Sequence, residues 1–207
     1  MGYNSVMDFE IDLDKYNFSV SVNYKFVMPA GLNEDLVKEI SRLKNEPQWM
    51  EDLRLKALHE FINKRTPSWG PDLSGLDLNK VIYYAKPTDK KARSWEDLPP
   101  SIRETFERLG VPEAERKFLA GVGAQFESEV VYHNLQTELE KEGVIFTDMD
   151  TAVREYPDLV KQYFGKIIPI SDNKFSALTY AVWSGGSFVY VPKGVKLEKP
   201  IYAYFRL

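Results

Sequence analysis

Residues 181–207, AVWSGGSFVYVPKGVKLEKPIYAYFRL, constrain the fold more than any other stretch of the chain. Ser187–Val191 and Ile201–Leu207 are rich in aromatic and β-branched residues, and Gly-Gly, Pro-Lys-Gly and Lys-Pro break the runs between them. Such side chains suit a pleated, half-buried surface, so the stretch reads strand, turn, strand, turn, strand. In the second run Ile201, Ala203, Phe205 and Leu207 alternate with Tyr202, Tyr204 and Arg206, the period of a strand with two unlike faces. An apolar strand with no closing turn leaves a sheet edge open. The same strand-and-turn pattern is expected from Asn173 onward.

The rest of the chain is organised differently. Residues 1–65 read as a helical segment: Asn33 is placed to cap a helix carrying Leu36, Val37, Ile40 and Leu43 on one stripe. Pro47 suits the start of a second helix with Trp49, Met50, Leu53, Ala57, Leu58 and Phe61 on a broad apolar face. Residues 66–100 change character, punctuated by Pro67, Gly70, Pro71, Gly75, Pro87, Pro99 and Pro100, with KVIYYA the one plausible strand. Trp69, Tyr83, Tyr84 and Trp95 make this segment an irregular strap lying on another surface rather than a free linker. Residues 101–172 are mixed. Helices are expected from Ser101 and Pro112 and over LQTELEKEG, strands over ESEVVYHN and VIFTDM, and a helix pair broken at Pro157.

Composition narrows the chemistry. The 207 residues contain no cysteine, which removes disulfides, thiolate ligands and cysteine nucleophiles together. A net charge of −4 argues against a nucleic-acid surface, and the basic run KPTDKKAR (86–93) reads as a solvated loop. No apolar run approaches the roughly 20 residues of a membrane-spanning helix. The N-terminal residues carry no secretory pattern, so a cytoplasmic protein is expected.

Catalytic motifs are sparse. There is no phosphate loop, Gly121-Val-Gly123 lacks a third glycine, and SGGS (184–187) is not a nucleophile elbow. Of the two histidines, His59 falls within a helix. His133 is the better candidate, because a regular strand would put Glu127, Glu129, Val131 and His133 on one face, with Asp148 and Asp150 in the next strand region. A histidine among carboxylates can hold iron, manganese or zinc, which would make a small metal-dependent hydrolase or isomerase. The plainer alternative is a structural histidine. Arg206 likewise reads either as a solvated edge residue or as a fixed charge on a sheet.

Several long strings carry a resemblance: EISRLKNEPQWMEDLRLKAL, WGPDLSGLD, KPTDKKARSWEDLPPSIRETFERLGVPEAERKFLAGVGAQFESEVVYHN, GVIFTDMDTAVREYPDLVKQYFG and DNKFSALTYAVWSGGSFVYVPKGVKLEKP. From about Asp12 to Leu207 the chain resembles, in one register, the N-terminal half of the SufB/SufD family of iron–sulfur cluster assembly scaffolds. The resemblance implies an α+β protein, with an N-terminal helical and mixed α/β region followed by the first strands of a right-handed parallel β-helix, cut short within 173–207. It also implies a non-enzymatic scaffold that works with SufD, the ATPase SufC and sulfur-donor proteins. That scaffold would assemble nascent Fe–S clusters and pass them to acceptor proteins. Cluster irons are ordinarily held by thiolates, so this stretch is expected to be structural and not to ligate the cluster. Arg206 matches the arginine of the family's Tyr-Phe-Arg-x-Asn pattern, which places it on a polar path at the β-helix entry.

Overall fold

In the computed structural model, Phe18, Ser21 and residues 23–89, 91, 92 and 94–206 are described. The readings made on the first 17 residues, on Lys90 and Arg93 and on Leu207 lie outside them.

The N-terminal helices form where the caps and stripes predict. Asn33 accepts the Leu36 N–H at 2.9 Å and opens α1 (Glu34–Lys44), and Pro47 precedes α2 (Gln48–Asn63). The buried face of α1 is Val37, Ile40, Ser41 and Lys44, and that of α2 includes Met50, Arg54, Ala57, Leu58 and Phe61. Two cations therefore sit in phase with apolar stripes.

The strap is only partly regular. β1 (Phe26–Val27) pairs antiparallel with β2 (Ala85–Lys86), so the strand expected over KVIYYA begins only at its last residue. Leu78–Lys80 just before it is a short 3-10 turn. Tyr84 and Trp95 are buried, whereas Trp69 is 81% exposed. Trp95 stacks on Tyr132 with ring centroids 3.9 Å apart, and Glu115 accepts hydrogen bonds from Trp95 Nε1 (2.6 Å), the Tyr132 hydroxyl (2.8 Å) and Asn134 Nδ2 (2.9 Å).

Helices α3 (Pro100–Arg108) and α4 (Val111–Phe118) lead into β3 (Gly121–Phe126), and β4 (Glu129–Leu135) returns antiparallel to it. β3 is a correction to the sequence reading, which took Gly121 and Gly123 only as a failed phosphate loop. All six of its residues are buried. The glycines are what allow this. A Cβ on Gly121 would lie 3.0 Å from both the Asn134 carbonyl oxygen and Phe146 Cδ1, and one on Gly123 would lie 3.3 Å from Phe146 Cζ. The Phe146 ring thus packs directly on the strand backbone.

A short α5 (Thr137–Lys141) connects to β5 (Ile145–Asp148), then α6 (Met149–Glu155) and α7 (Pro157–Tyr163), the expected pair divided at Pro157. The strand-and-turn expectation from Asn173 fails at its start. Lys174–Val182 is a helix, α8, whose cap Asn173 accepts from the Phe175 and Ser176 N–H groups. Ala177 and Ala181, four apart and fully buried, let it pack closely with Val37, Ala57, Leu58 and Phe61 of the first two helices. The strands follow: β6 (Ser187–Tyr190) pairs antiparallel with β5, and β7 (Ile201–Arg206) pairs parallel with β3.

The three-stranded sheet, in order β4-β3-β7, therefore has β3 at its centre. One face carries Val122, Ala124 and Phe126 against Trp95, Ile102, Phe106 and Val111. On the other, Leu135 packs with Val144 and Phe146. Among the described residues no helix is long and apolar enough to cross a membrane.

Candidate functional site

The candidate site residues cluster around the β3–β4 hairpin and the α8–β6 turn, but not in the arrangement that a regular strand predicts. Gly123 pairs with His133, Ala124 with Tyr132, and Gln125 with Val130, so Val131 is an extra residue on β4. This bulge reverses the alternation. His133 lies opposite Gly123 and Glu129 opposite Phe126, and positions three apart on β3 project to opposite faces. The expected shared face for Glu129 and His133 is corrected by one inserted residue.

Each carboxylate then has its own partner. Glu127 sits in the hairpin turn in the left-handed region (φ 54°) and accepts from the Tyr24 hydroxyl at 2.9 Å. Glu129 accepts from Lys44 Nζ at 2.8 Å and from the Tyr84 hydroxyl at 2.5 Å. Burial, reinforced by the Glu129 carboxylate, pushes the Tyr84 hydroxyl far above the ordinary tyrosine value. Asp148 caps α6, accepting the Thr151 N–H at 2.9 Å, and pairs with Lys91. Burial alone would raise the Asp148 carboxyl, but the Lys91 charge and the hydrogen bonds from Lys91 and Thr151 outweigh it and hold it below the usual range. Asp150 is 6% exposed and pairs with Lys44 at 2.9 Å.

His133 packs its ring 4.5 Å from that of Phe146 and lines a cavity of about 760 Å³ with Lys91, Asp148, Thr151 and Tyr156. His59 is exposed on α2, beside Asn63 Nδ2 at 3.1 Å. Among the described residues no three histidine, aspartate or glutamate side chains come close enough together to hold a metal ion. Two lysines of the basic run are likewise engaged: Lys86 pairs with Asp89 at 3.0 Å and Lys91 with Asp148. Arg206 donates to the Phe18 carbonyl and lies 4.5 Å over the Phe18 ring, which Arg108 also approaches at 4.0 Å.

Three residues of this region escape a sequence reading. Lys44 is 5% exposed and joins Glu129, Asp150 and the Ser128 carbonyl. Arg54 and its partner Glu46 have fully buried side chains, and Arg54 also donates to the Ala181 and Trp183 carbonyls. Gln125 holds the SGGS turn, accepting from the Gly186 N–H at 2.8 Å and donating to the Glu127 carbonyl at 2.8 Å. For the two cations a signal exists: Lys44 continues the spacing of Val37, Ile40 and Ser41, and Arg54 continues that of Met50, Ala57 and Leu58. A charge in phase with an apolar stripe predicts a buried ion pair when the helix packs on that face.

Comparison with known proteins adds what geometry does not. The family described as SufBD protein N-terminal region matches residues 35–202. Iron-sulfur cluster assembly protein SufB of Bacillus subtilis (strain 168) is 52% identical over 193 residues, covering 93% of this chain and 42% of that protein. An iron-sulfur cluster assembly SufBD family protein of Staphylococcus epidermidis is 54% identical over the same shares. One of Staphylococcus saprophyticus is 56% identical over 182 residues, or 88% of this chain and 39% of that protein. The chain spans about two fifths of the length of these relatives.

Proposed function

The chain belongs to the SufBD family of iron–sulfur cluster assembly proteins, and from that premise we propose that it is the N-terminal part of a scaffold, serving packing and docking rather than cluster ligation. The observation that carries the reading is identity above 50% along 93% of the chain to an iron–sulfur assembly protein, in a sequence without a single cysteine. A nascent cluster is the cargo of such a scaffold, and its irons are ordinarily held by thiolates that this stretch does not supply. The carboxylates of Glu127, Glu129, Asp148 and Asp150 support the same reading, since lysines or hydroxyl groups already engage them.

On this reading the whole protein works in the cytoplasm with SufD and the ATPase SufC. It takes sulfur from donor proteins and passes completed clusters to acceptors. ATP hydrolysis belongs to SufC, and the scaffold itself is not an enzyme. Two features of the fold support a continuing solenoid. β7 runs parallel to β3 in register over six residue pairs, and it is an edge strand of the sheet β4-β3-β7. The free edge of a parallel strand is where the next rung of a β-helix adds its hydrogen bonds. Arg206 at the end of β7 then marks the start of the polar path that the family pattern suggests. Docking is supported by an apolar groove of about 750 Å³ lined by Phe164, Ile168, Phe175, Trp183 and the exposed Trp69.

The test is a full-length protein lacking residues 34–63, assayed for co-purification with SufC and SufD and for cluster reconstitution. Loss of complex or of cluster formation is expected. Normal assembly of both would overturn the proposed role for this region.

A further inference from the structure

Around Lys44, one cation faces two acids, the buried Asp150 and the partly buried Glu129. Lys44 Nζ donates to Glu129 Oε1 at 2.8 Å, to Asp150 Oδ2 at 2.9 Å and to the Ser128 carbonyl at 3.2 Å. The Gly185 N–H also donates to Asp150 Oδ2, at 3.2 Å. The other oxygen, Asp150 Oδ1, is buried and has no hydrogen-bond partner. The remaining charges nearby are committed elsewhere. Lys91 bonds Asp148 and Thr151, and Arg154 donates to the Lys44 carbonyl and to Thr151. On the strap side the Tyr84 hydroxyl donates to Glu129.

We propose that Lys44, Glu129 and Asp150 form a one-proton latch: with a proton on Asp150 the α8–β6 turn at Ser184–Gly186 stays closed over α6, and loss of that proton opens it. The inference rests on the geometry of this cluster and not on the family reading. With both carboxyls ionised, one lysine leaves a net negative charge in a dry site, with no donor for Oδ1. Burying such a charge costs far more than burying a neutral acid. The nearest available donor is water, which reaches Oδ1 only if a covering element lifts. The SGGS turn is a cover of this site, tied down by the Gly185 and Gly186 N–H groups on Asp150 and Gln125 and by the Met149 N–H on the Gly186 carbonyl. The electrostatics agree. Burial pushes the Asp150 carboxyl up, Lys44 opposes this, and the Glu129 and Asp148 charges reinforce it.

Two measurements test the latch: ¹³C titration of the Asp150 carboxyl in the protein, and amide exchange of residues 183–187, corrected for the intrinsic pH effect, from about pH 5 to about pH 9, the span in which buried carboxyls titrate. Asp150 is expected to titrate above the ordinary carboxylate range, with protection of the Gly185 amide falling about tenfold across the same transition, the size of one lost hydrogen bond. Asp150→Asn, which stays neutral, should hold protection within about twofold throughout. The proposal is overturned if Asp150 titrates in or below the ordinary range, or if the Asn variant keeps the wild-type pH dependence. It is also overturned if Glu129→Gln abolishes that dependence while Asp150→Asn does not. Should Asp150→Asn not fold, the wild-type titration decides alone.

Discussion

Lys44 Nζ and Asp150 Oδ2 lie 2.9 Å apart although 106 positions separate them in the chain. The contact fastens the last turn of α1 to the first turn of α6, and through Glu129 it includes the β4 end of the hairpin. A contact that spans half the chain holds tertiary structure in place that no local hydrogen bond can hold.

Replacing Lys44 by Met leaves Glu129 without its cation and Asp150 without its donor. The expected loss is about 3–5 kcal/mol of unfolding free energy, the range for breaking a buried ion pair by removing one partner. Denaturant unfolding of the single variant measures it. The triple variant Lys44→Met, Glu129→Gln, Asp150→Asn should recover a large part, because no charge is then left uncompensated.

Asp148 gives the acid side of the stability profile. Its carboxyl is held below the usual range, so its contribution is fully present above the unfolded value of about 3.9 and is lost as pH falls through the folded one. Lys91→Met removes the charge that depresses it, and the acid-unfolding midpoint should move to higher pH. An unchanged midpoint in circular dichroism would mean that the Lys91–Asp148 pair does not form in solution.

The SGGS turn can be tested against a glycine in a similar backbone conformation. Gly185 has φ +65°, and a Cβ there would lie 2.5 Å from Gln125 Oε1, whereas Gly110 has φ +76° with open space around it. Gly110→Ala should cost about 1 kcal/mol from backbone strain alone. Gly185→Ala should cost about 1–3 kcal/mol more from the clash. Equal losses in parallel thermal unfolding would refute the close approach.

His133→Ala separates a structural histidine from a ligand. The bulge places His133 away from Glu129, and its ring packs on Phe146. The variant should lose stability, by roughly 1–3 kcal/mol for a removed packed side chain. Calorimetric titration with zinc or manganese should be identical for wild type and variant. Stoichiometric binding that disappears with His133 would revive a metal-dependent activity.

Much of the architecture was legible in residue order. The cap at Asn33, the break at Pro157 and the alternation at Ile201–Arg206 each produced the element that local chemistry predicts. Two elements were not. Gly121–Phe126 has low strand propensity and becomes the central strand because its glycines let Phe146 lie on the backbone. Lys174–Val182 carries aromatic and β-branched residues that favour a strand, yet forms a helix because Asn173 caps it and Ala177 and Ala181 fit against α2. The candidate site was legible as a list of residues and not as an arrangement, since the bulge at Val131 leaves no trace in the alternation pattern.

The sequence by itself determined the periodicities, the helix ends, the absence of thiol chemistry and the family. These follow from side chains a few residues apart, or from strings long enough to be recognised whole. Only the tertiary structure decided that Lys44 and Arg54 are buried, that Glu129 and His133 part company, and that Asp150 keeps one oxygen without a partner. The acids that face Lys44 and the Ala181 carbonyl that Arg54 reaches lie more than 80 positions away, and local pattern does not say which segments these are.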